Sequence, residues 1–445
     1  MPQRRVVVTG LGLATPIGIE LDDVWTALLE KKSGIERITA FDPSRFRSQI
    51  GGQVGKFTLG DYIPKSYRKS TKVMCRDIQL ALVAAYQAVR DAGLKTKCII
   101  DRGEAEAPGN VDPTRFGANI GAGLICADLS ELAAALAVAR SDDDGFSLAK
   151  WGLEGMSDLT PLWLLKYLPN MLACHVTIVH DAQAPSNTIT CGEASSHLAI
   201  GEAYRTIQRG AADVCICGGA ESKTNAMGTI RQDLFGRLAI DRNEAPHEAC
   251  GPFDARREGM VVAEGGGLVI LEELDHARSR GARIYGEIGG FGASANTTSW
   301  KEPDPEGQGI ARAIAKAIED AGLSADQIRM ITTFGTGIAS FDISEAAAIR
   351  KVFGDHAAGI PALAVKGAIG NNGAGSGAID FAISLLAMKN NTVPASVGTD
   401  QLAEDYGIGL VTGDAIDAPI DNFVSIAYAL SGGQTAALVV RRFEE

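Results

Sequence analysis

No apolar run in the 445 residues reaches transmembrane length, and Met1 to Ile19 lacks the hydrophobic stretch and cleavage site of a secretory leader. A cytoplasmic protein with no membrane span is therefore expected. The eight cysteines, at 75, 98, 126, 174, 191, 215, 217 and 250, form no CxxC pair. The six histidines form no HExxH or Cys/His cluster. No metal site and no cofactor are expected from such dispersion. A basic excess is missing too: the net charge of −12 excludes bulk nucleic-acid or anionic-membrane binding, both of which need a positive surface. A dinucleotide fingerprint is incomplete, because Gly10-Leu11-Gly12 would need a third glycine at 15, which is Thr15. The reading that remains for Gly10 to Gly12 is a tight turn.

What is present suits a large, well-cored α/β chain. Apolar residues make up 46% and charged residues 22%, the balance of a folded globular protein. The most informative stretch runs from Asn187 to Glu221 and reads strand, tight turn, helix, short loop, strand. Thr188 to Thr190 is β-branched, Gly192 permits a sharp turn, and Leu198, Ala199, Ala203 and Ile207 recur at helical spacing until Gly210. Val214 to Cys217 then forms an apolar strand leading into Gly218-Gly219. A turn that delivers one side chain to the start of a buried helix is a common mount for a nucleophile. Here that residue is Glu193. Elsewhere, Asp142-Asp143-Asp144-Gly145 lacks the closing Glu of a calcium loop and reads as solvated.

The second half repeats the first. A helix from about Thr71 to Asp91 ends in Asp91-Ala-Gly93-Leu94, and one from Gln308 to Leu323 ends in Asp320-Ala-Gly322-Leu323. Gly121, Gly123, Asp128 and Glu131 follow the first; Gly335, Gly337, Asp342 and Glu345 follow the second at the same spacing. The helix after Ser376 parallels the one after Glu193, and Glu264 to Gly267 with its strand parallels Ser431 to Gln434 with its own. Matched elements in one order indicate duplication, with an N-terminal half over 1–254 and a C-terminal half over 255–445.

These residues carry a resemblance over nearly the whole chain. HLAIGEA, Gly219-Ala-Glu221, Gly251-Pro-Phe-Asp254 through Arg257-Glu-Gly259, and Glu264-Gly-Gly-Gly267 resemble the β-ketoacyl-acyl-carrier-protein synthases, condensing enzymes of the thiolase fold. The resemblance implies a duplicated α-β-α-β-α five-layered fold. It also implies a cysteine that holds the acyl chain and two histidines that stabilise the oxyanion formed on decarboxylation. The cysteine position is Glu193, and the histidine positions are Phe334 and Asn371. The family's lysine and acidic residue remain as Lys366 and Glu345, a buried pair on this reading. The gate loop has become Ser431, Gly432 and Gly433. A carboxylate cannot replace the thiolate, since its acyl adduct would be a mixed anhydride. Phe334 cannot donate a hydrogen bond, although Asn371 retains one to give. Cys191 is a remote substitute nucleophile and reads better as a structural thiol in the strand. Glu193 reads either as a base or cation ligand, or as a plug bonded by N–H groups of the turn with Lys366 near.

Three functions follow from the resemblance. The leading one is a non-condensing partner of an active ketosynthase, similar to the chain-length factors, acting as a heterodimer or homodimer. The others are an enzyme of altered chemistry, such as a malonyl-carrier decarboxylase or thioester hydrolase, and an active synthase. An acyl carrier protein is the implied partner, and Lys65, Arg68 and Lys69 in the densest basic run are its expected docking residues. The apolar segment Met171 to Val179 falls where the family dimerises.

Overall fold

The computed structural model describes residues 4–141, 143, 145–403 and 406–444, so Asp142 and Asp144 of the acidic run lie outside the described residues. Eleven strands form one hydrogen-bonded sheet: β1 (Val6–Ala14), β2 (Phe116–Ala122), β3 (Ser186–Ile189), β4 (Val214–Ser222), β5 (Glu264–Glu273), β6 (Gly286–Ala295), β7 (Met330–Thr333), β8 (Pro361–Ala364), β9 (Gly409–Leu410), β10 (Asn422–Tyr428) and β11 (Gln434–Arg441). Their order across the sheet is β9-β8-β7-β10-β11-β6-β1-β5-β4-β2-β3. The helices that bear on the site are α1 (Arg76–Asp91), α2 (Met171–His180), α3 (Ser195–Gln208), α4 (Gln308–Asp320), α5 (Ala339–Phe353) and α6 (Ser376–Asn390).

The sheet is pinched between β1 and β6, which pair only at Val7 with Glu287 and Val8 with Gly286. On one side lies β1-β5-β4-β2-β3 and on the other β6-β11-β10-β7-β8-β9. Each half has two antiparallel pairings followed by parallel ones, two in the first half and three in the second. The duplication legible in the sequence is thus a duplication of topology. Because β5 pairs with β1 and β4, the change of half falls between Glu273 and Gly286, beyond the expected division at 254.

Helices α3 and α6 touch each other and strands of both halves, while α1 and α4 cover the two outer faces. The layers are therefore α-β-α-β-α. A helix held between sheets has no solvent face, and every residue of α6 from Ser376 to Met388 is buried. Gly10 and Gly12 are not a turn: they lie within β1, where a Cβ on either would stand 2.3 and 2.0 Å from carbonyl oxygens of Ala88 and Ala84 in α1. Gly290 and Gly292 of β6 are matched against Ala317 and Ala313 of α4 in the same way. Side-chain-free positions let helix and strand approach closely in both halves.

Some boundaries move. Lys65–Val73 is a 3-10 segment and α1 begins only at Arg76, after an extended Met74 and Cys75. The segment Met171 to Val179 is helix α2, with Ile178 half exposed. Among the described residues no helix is long and apolar enough to cross a membrane.

Candidate active site

Strand β3 stops at Ile189, so Cys191 is not in the strand; it precedes a 3-10 turn, Gly192–Ala194, that leads into α3. Gly192 has φ of +55°, and a Cβ there would stand 3.3 Å from that of Ala429. The Ser195 hydroxyl fixes the turn, accepting from Cys191 N–H at 2.8 Å and donating to the Gly192 carbonyl at 2.6 Å. The turn delivers Glu193 to the molecule's interior, where it is 4% exposed.

Both carboxylate oxygens of Glu193 are taken. Oε1 accepts from Lys223 Nζ at 2.5 Å, and Oε2 from the Leu430 backbone N–H at 3.0 Å. The partner is therefore Lys223 rather than Lys366, and the N–H comes from the gate loop rather than the turn. Lys223 is itself buried and has Glu221 as a second carboxylate neighbour; Glu221 accepts from Ala374 N–H at 2.7 Å. Burial alone would raise the Glu193 carboxyl, but Lys223 and Leu430 N–H outweigh it and hold the group ionised, below its ordinary value. Burial likewise works against the Lys223 charge, and Glu193 and Glu221 hold it in place above the ordinary lysine value. A carboxylate so committed is neither a free base nor a ligand for a passing cation.

The positions expected for the histidines, Phe334 and Asn371, lie in a second closed cluster. Phe334, at the end of β7, is fully buried, with its ring centroid 4.2 Å from Lys366 Nζ and 5.0 Å from the Tyr428 ring. Lys366 is ion-paired with Asp380 of α6, not with Glu345, which corrects the expected pair. Glu345 instead accepts the Phe334 and Gly335 N–H groups at 2.7 and 2.9 Å and the Tyr428 hydroxyl at 3.1 Å. It thus caps the turn after β7, and burial pushes it to about 7 despite these donors. Burial raises Asp380 to about 6 against the pull of Lys366. Asn371 does not offer its remaining donor to the site. Its Nδ2 faces Met260 Sδ at 3.3 Å, and its Oδ1 accepts from Gly373 N–H at 2.9 Å.

Above Glu193 lies the loop of Ser431, Gly432 and Gly433, both glycines at positive φ. Arg237 ties it down, donating to the carbonyls of Leu430 and Lys301 at 2.6 and 2.8 Å and to Ser431 Oγ at 3.0 Å. Gly432 N–H donates to the Trp300 carbonyl at 2.6 Å. A cleft of about 920 Å³ is lined by Arg76, Asp77, Ser222 and Glu264 among others. Neither it nor four smaller cavities is lined by Glu193, Phe334, Asn371 or Lys366. Lys65, Arg68 and Lys69 stand exposed on the 3-10 segment, outside the buried cluster.

Sequence reasoning missed Lys223, Asp380, Tyr428 and Arg237. Lys223 is two residues past the Gly219-Ala-Glu221 motif, so a cation beside a doubly acidic site was a signal within reach. Nothing in the local sequence of Asp380 or Tyr428 marks them, because each reaches its partner across the layers.

Comparison with known proteins fits this geometry. The β-ketoacyl synthase N-terminal domain matches residues 3–277, and the C-terminal domain of the same family matches 285–400. The 3-oxoacyl-[acyl-carrier-protein] synthase 2 of Coxiella burnetii is 32% identical over 99% of both chains. Its namesake from Synechocystis is also 32% identical, over 100% of this chain and 99% of the relative. Among solved structures, the ishigamide ketosynthase/chain length factor superposes with a TM-score of 0.83 at 26% identity, covering 99% of this chain and 100% of that one. A ketosynthase in complex with its type II polyketide acyl-carrier protein gives 0.80 at 27% identity, with 99% and 100% covered. Duplicated topology, the two domain matches and full-length relatives together make this chain a member of the β-ketoacyl synthase family of fatty-acid and polyketide synthesis.

Proposed function

We propose that this chain is a non-condensing β-ketoacyl synthase homologue that serves as the partner of an active ketosynthase, in the manner of a chain-length factor. The observation that carries the reading is the Glu193–Lys223 ion pair, buried at the position of the family's nucleophile. No thioester can form there, and Phe334 and Asn371 supply no donor for a developing enolate. Decarboxylation or hydrolysis would need Glu193 protonated or free, and the ion pair opposes both. The relatives named as synthases support the scaffold, and the ketosynthase/chain length factor among the structural neighbours supports the partnership.

Large apolar side chains stand exposed along one stretch, including Leu124, Leu148, Leu153 and Leu162 at 66–82%. A stable obligate interface of a few thousand Å² would cover such residues. Expression beside a cognate Cys-His-His ketosynthase should give a 1:1 heterodimer by light scattering. Altering this chain's interface lining should change product length. A monodisperse monomer in solution would end the reading, and a homodimer that ignores every synthase offered would favour a separate enzyme.

Carrier docking is proposed at Lys65, Arg68 and Lys69. Carrier proteins are acidic, and these exposed cations form a local positive patch on a chain of net charge −12. Reversing all three charges should weaken carrier binding at least tenfold at low salt, with the difference shrinking at 0.5 M salt. Equal affinity at low salt would remove the patch from the proposal.

A further inference from the structure

The surroundings of Glu193 form a binding site in their own right. Lys223 Nζ and the Leu430 N–H converge on one carboxylate from two sides, and each donor is set by a different element. Lys223 follows directly on β4, and Leu430 follows β10. The position of Leu430 is held independently of Glu193, since its carbonyl accepts from Arg237 at 2.6 Å. Arg237 also feels the Glu193 charge. What ties the carboxylate to the chain beneath these donors is the short Glu193 side chain alone.

We propose that this is a preformed carboxylate-binding site whose ligand in the intact chain is Glu193 itself, and that a free one- or two-carbon carboxylate binds there when the tether is removed. This rests on the reading of Glu193 as an inert occupant and says what it occupies. The ligand class follows from size and charge. Truncation to Ala deletes Cγ, Cδ and the two oxygens, which are the heavy atoms of acetate. It also removes the carboxylate hydrogen-bonded to buried Lys223, while Glu221, a through-space neighbour, has its Oε2 taken by Ala374 N–H. A buried ammonium that has lost its hydrogen-bonded acceptor, with a backbone N–H aimed at the same point, selects a small anion over water. In the intact chain the tethered carboxylate competes at very high local concentration, so outside acids are excluded.

The test uses Glu193→Ala in the full chain, with sodium acetate, formate and propionate as probes against sodium chloride at equal ionic strength. Thermal melting should rise by several degrees with 100 mM acetate in the variant and by less than one degree in the parent. Propionate should act more weakly than acetate, because the vacated space ends at Cβ. Line broadening of ¹³C-acetate should appear with the variant and vanish in Glu193→Ala/Lys223→Met. If Glu193→Ala fails to fold alone, recovery of soluble protein by acetate in the growth and lysis medium supports the site. Failure of that rescue while the double variant folds overturns it. A folded Glu193→Ala with no acetate response also overturns it. None of these results touches condensing activity, so the non-condensing reading stands or falls separately.

Discussion

Replacing Glu193 by Cys should yield a protein that neither condenses nor folds as well as the parent. The stability loss has a defined origin: Cys cannot neutralise Lys223, which is 5% exposed and would be left without its 2.5 Å partner. Removing one member of a buried ion pair costs about 3–5 kcal/mol. Adding Lys223→Met should restore most of that, since losing both charges removes the desolvation penalty along with the attraction. Activity should stay absent in both variants. The Phe334 ring packs under Lys366 Nζ and at a tilt against Tyr428, and the Asn371 amide is committed to Met260 and Gly373. Each missing oxyanion donor is worth roughly 10²–10³ in rate. Urea titration separates the stability of the two variants, and carrier-bound malonate turnover reads the chemistry. Robust condensation by the single variant would show that the donors come from elsewhere.

Three buried carboxyls should each contribute stability that is present at low pH and lost as pH rises toward 7. The buried carboxyls of Asp77 and Glu345 are each pushed to about 7, and that of Asp380 to about 6. For Asp77 burial acts first and Glu221 adds to it; for Glu345 and Asp380 burial is again the main cause. Their ordinary values are 3.8, 4.5 and 3.8. In the window between these ordinary and raised values the three groups hold more protons in the folded chain than in the unfolded one, so their contribution declines as pH rises, while buried His180 and His197, pushed down to about 3, act the opposite way below 6.5. A tenfold difference in proton affinity between the folded and unfolded chain is worth about 1.4 kcal/mol, and the loss from these carboxyls levels off above about pH 7. Glu193 runs the other way. Its folded value lies below 4.5, so its contribution is present above that pH and is lost only as pH falls through the lower folded value. Lys223 is raised above 10.5, so its contribution disappears only when pH climbs past that raised value. Unfolding free energies measured by urea at pH 5, 6, 7 and 8 test the slope. The stability of Glu345→Gln and of Asp77→Asn relative to the parent should rise from pH 5 to pH 8, and a difference that does not change with pH would contradict the assignment.

The architecture was legible because it is periodic and repeated. The helical spacing of Leu198, Ala199, Ala203 and Ile207 and the matched Gly121/Gly335 and Glu131/Glu345 blocks survive as α3 and as two sheets of one topology. The proposal that Glu193, Phe334 and Asn371 stand at the family's reactive positions rests on single letters that neighbouring motifs pin down. Gly10 and Gly12 were misread for a physical reason. A glycine needed for close packing of α1 on β1 is the same letter as a glycine needed for a turn, and only the helix overhead distinguishes them.

Pairing is the part that folding decides. From the sequence, Lys366 had Glu345 or Glu193 as partner; in the fold it takes Asp380, because α6 carries that carboxylate between the sheets while Glu345 caps the turn after β7. Glu193 meets Lys223, thirty residues on along the chain, and Leu430, which lies 237 residues away. Local propensity determines helices and strands over a few residues at a time. A buried charge instead takes whichever donor the layers bring within about 3 Å, since leaving it unpaired costs several kcal/mol. That selection depends on strand order and layer stacking, and so the identity of each partner appears only once the chain is closed.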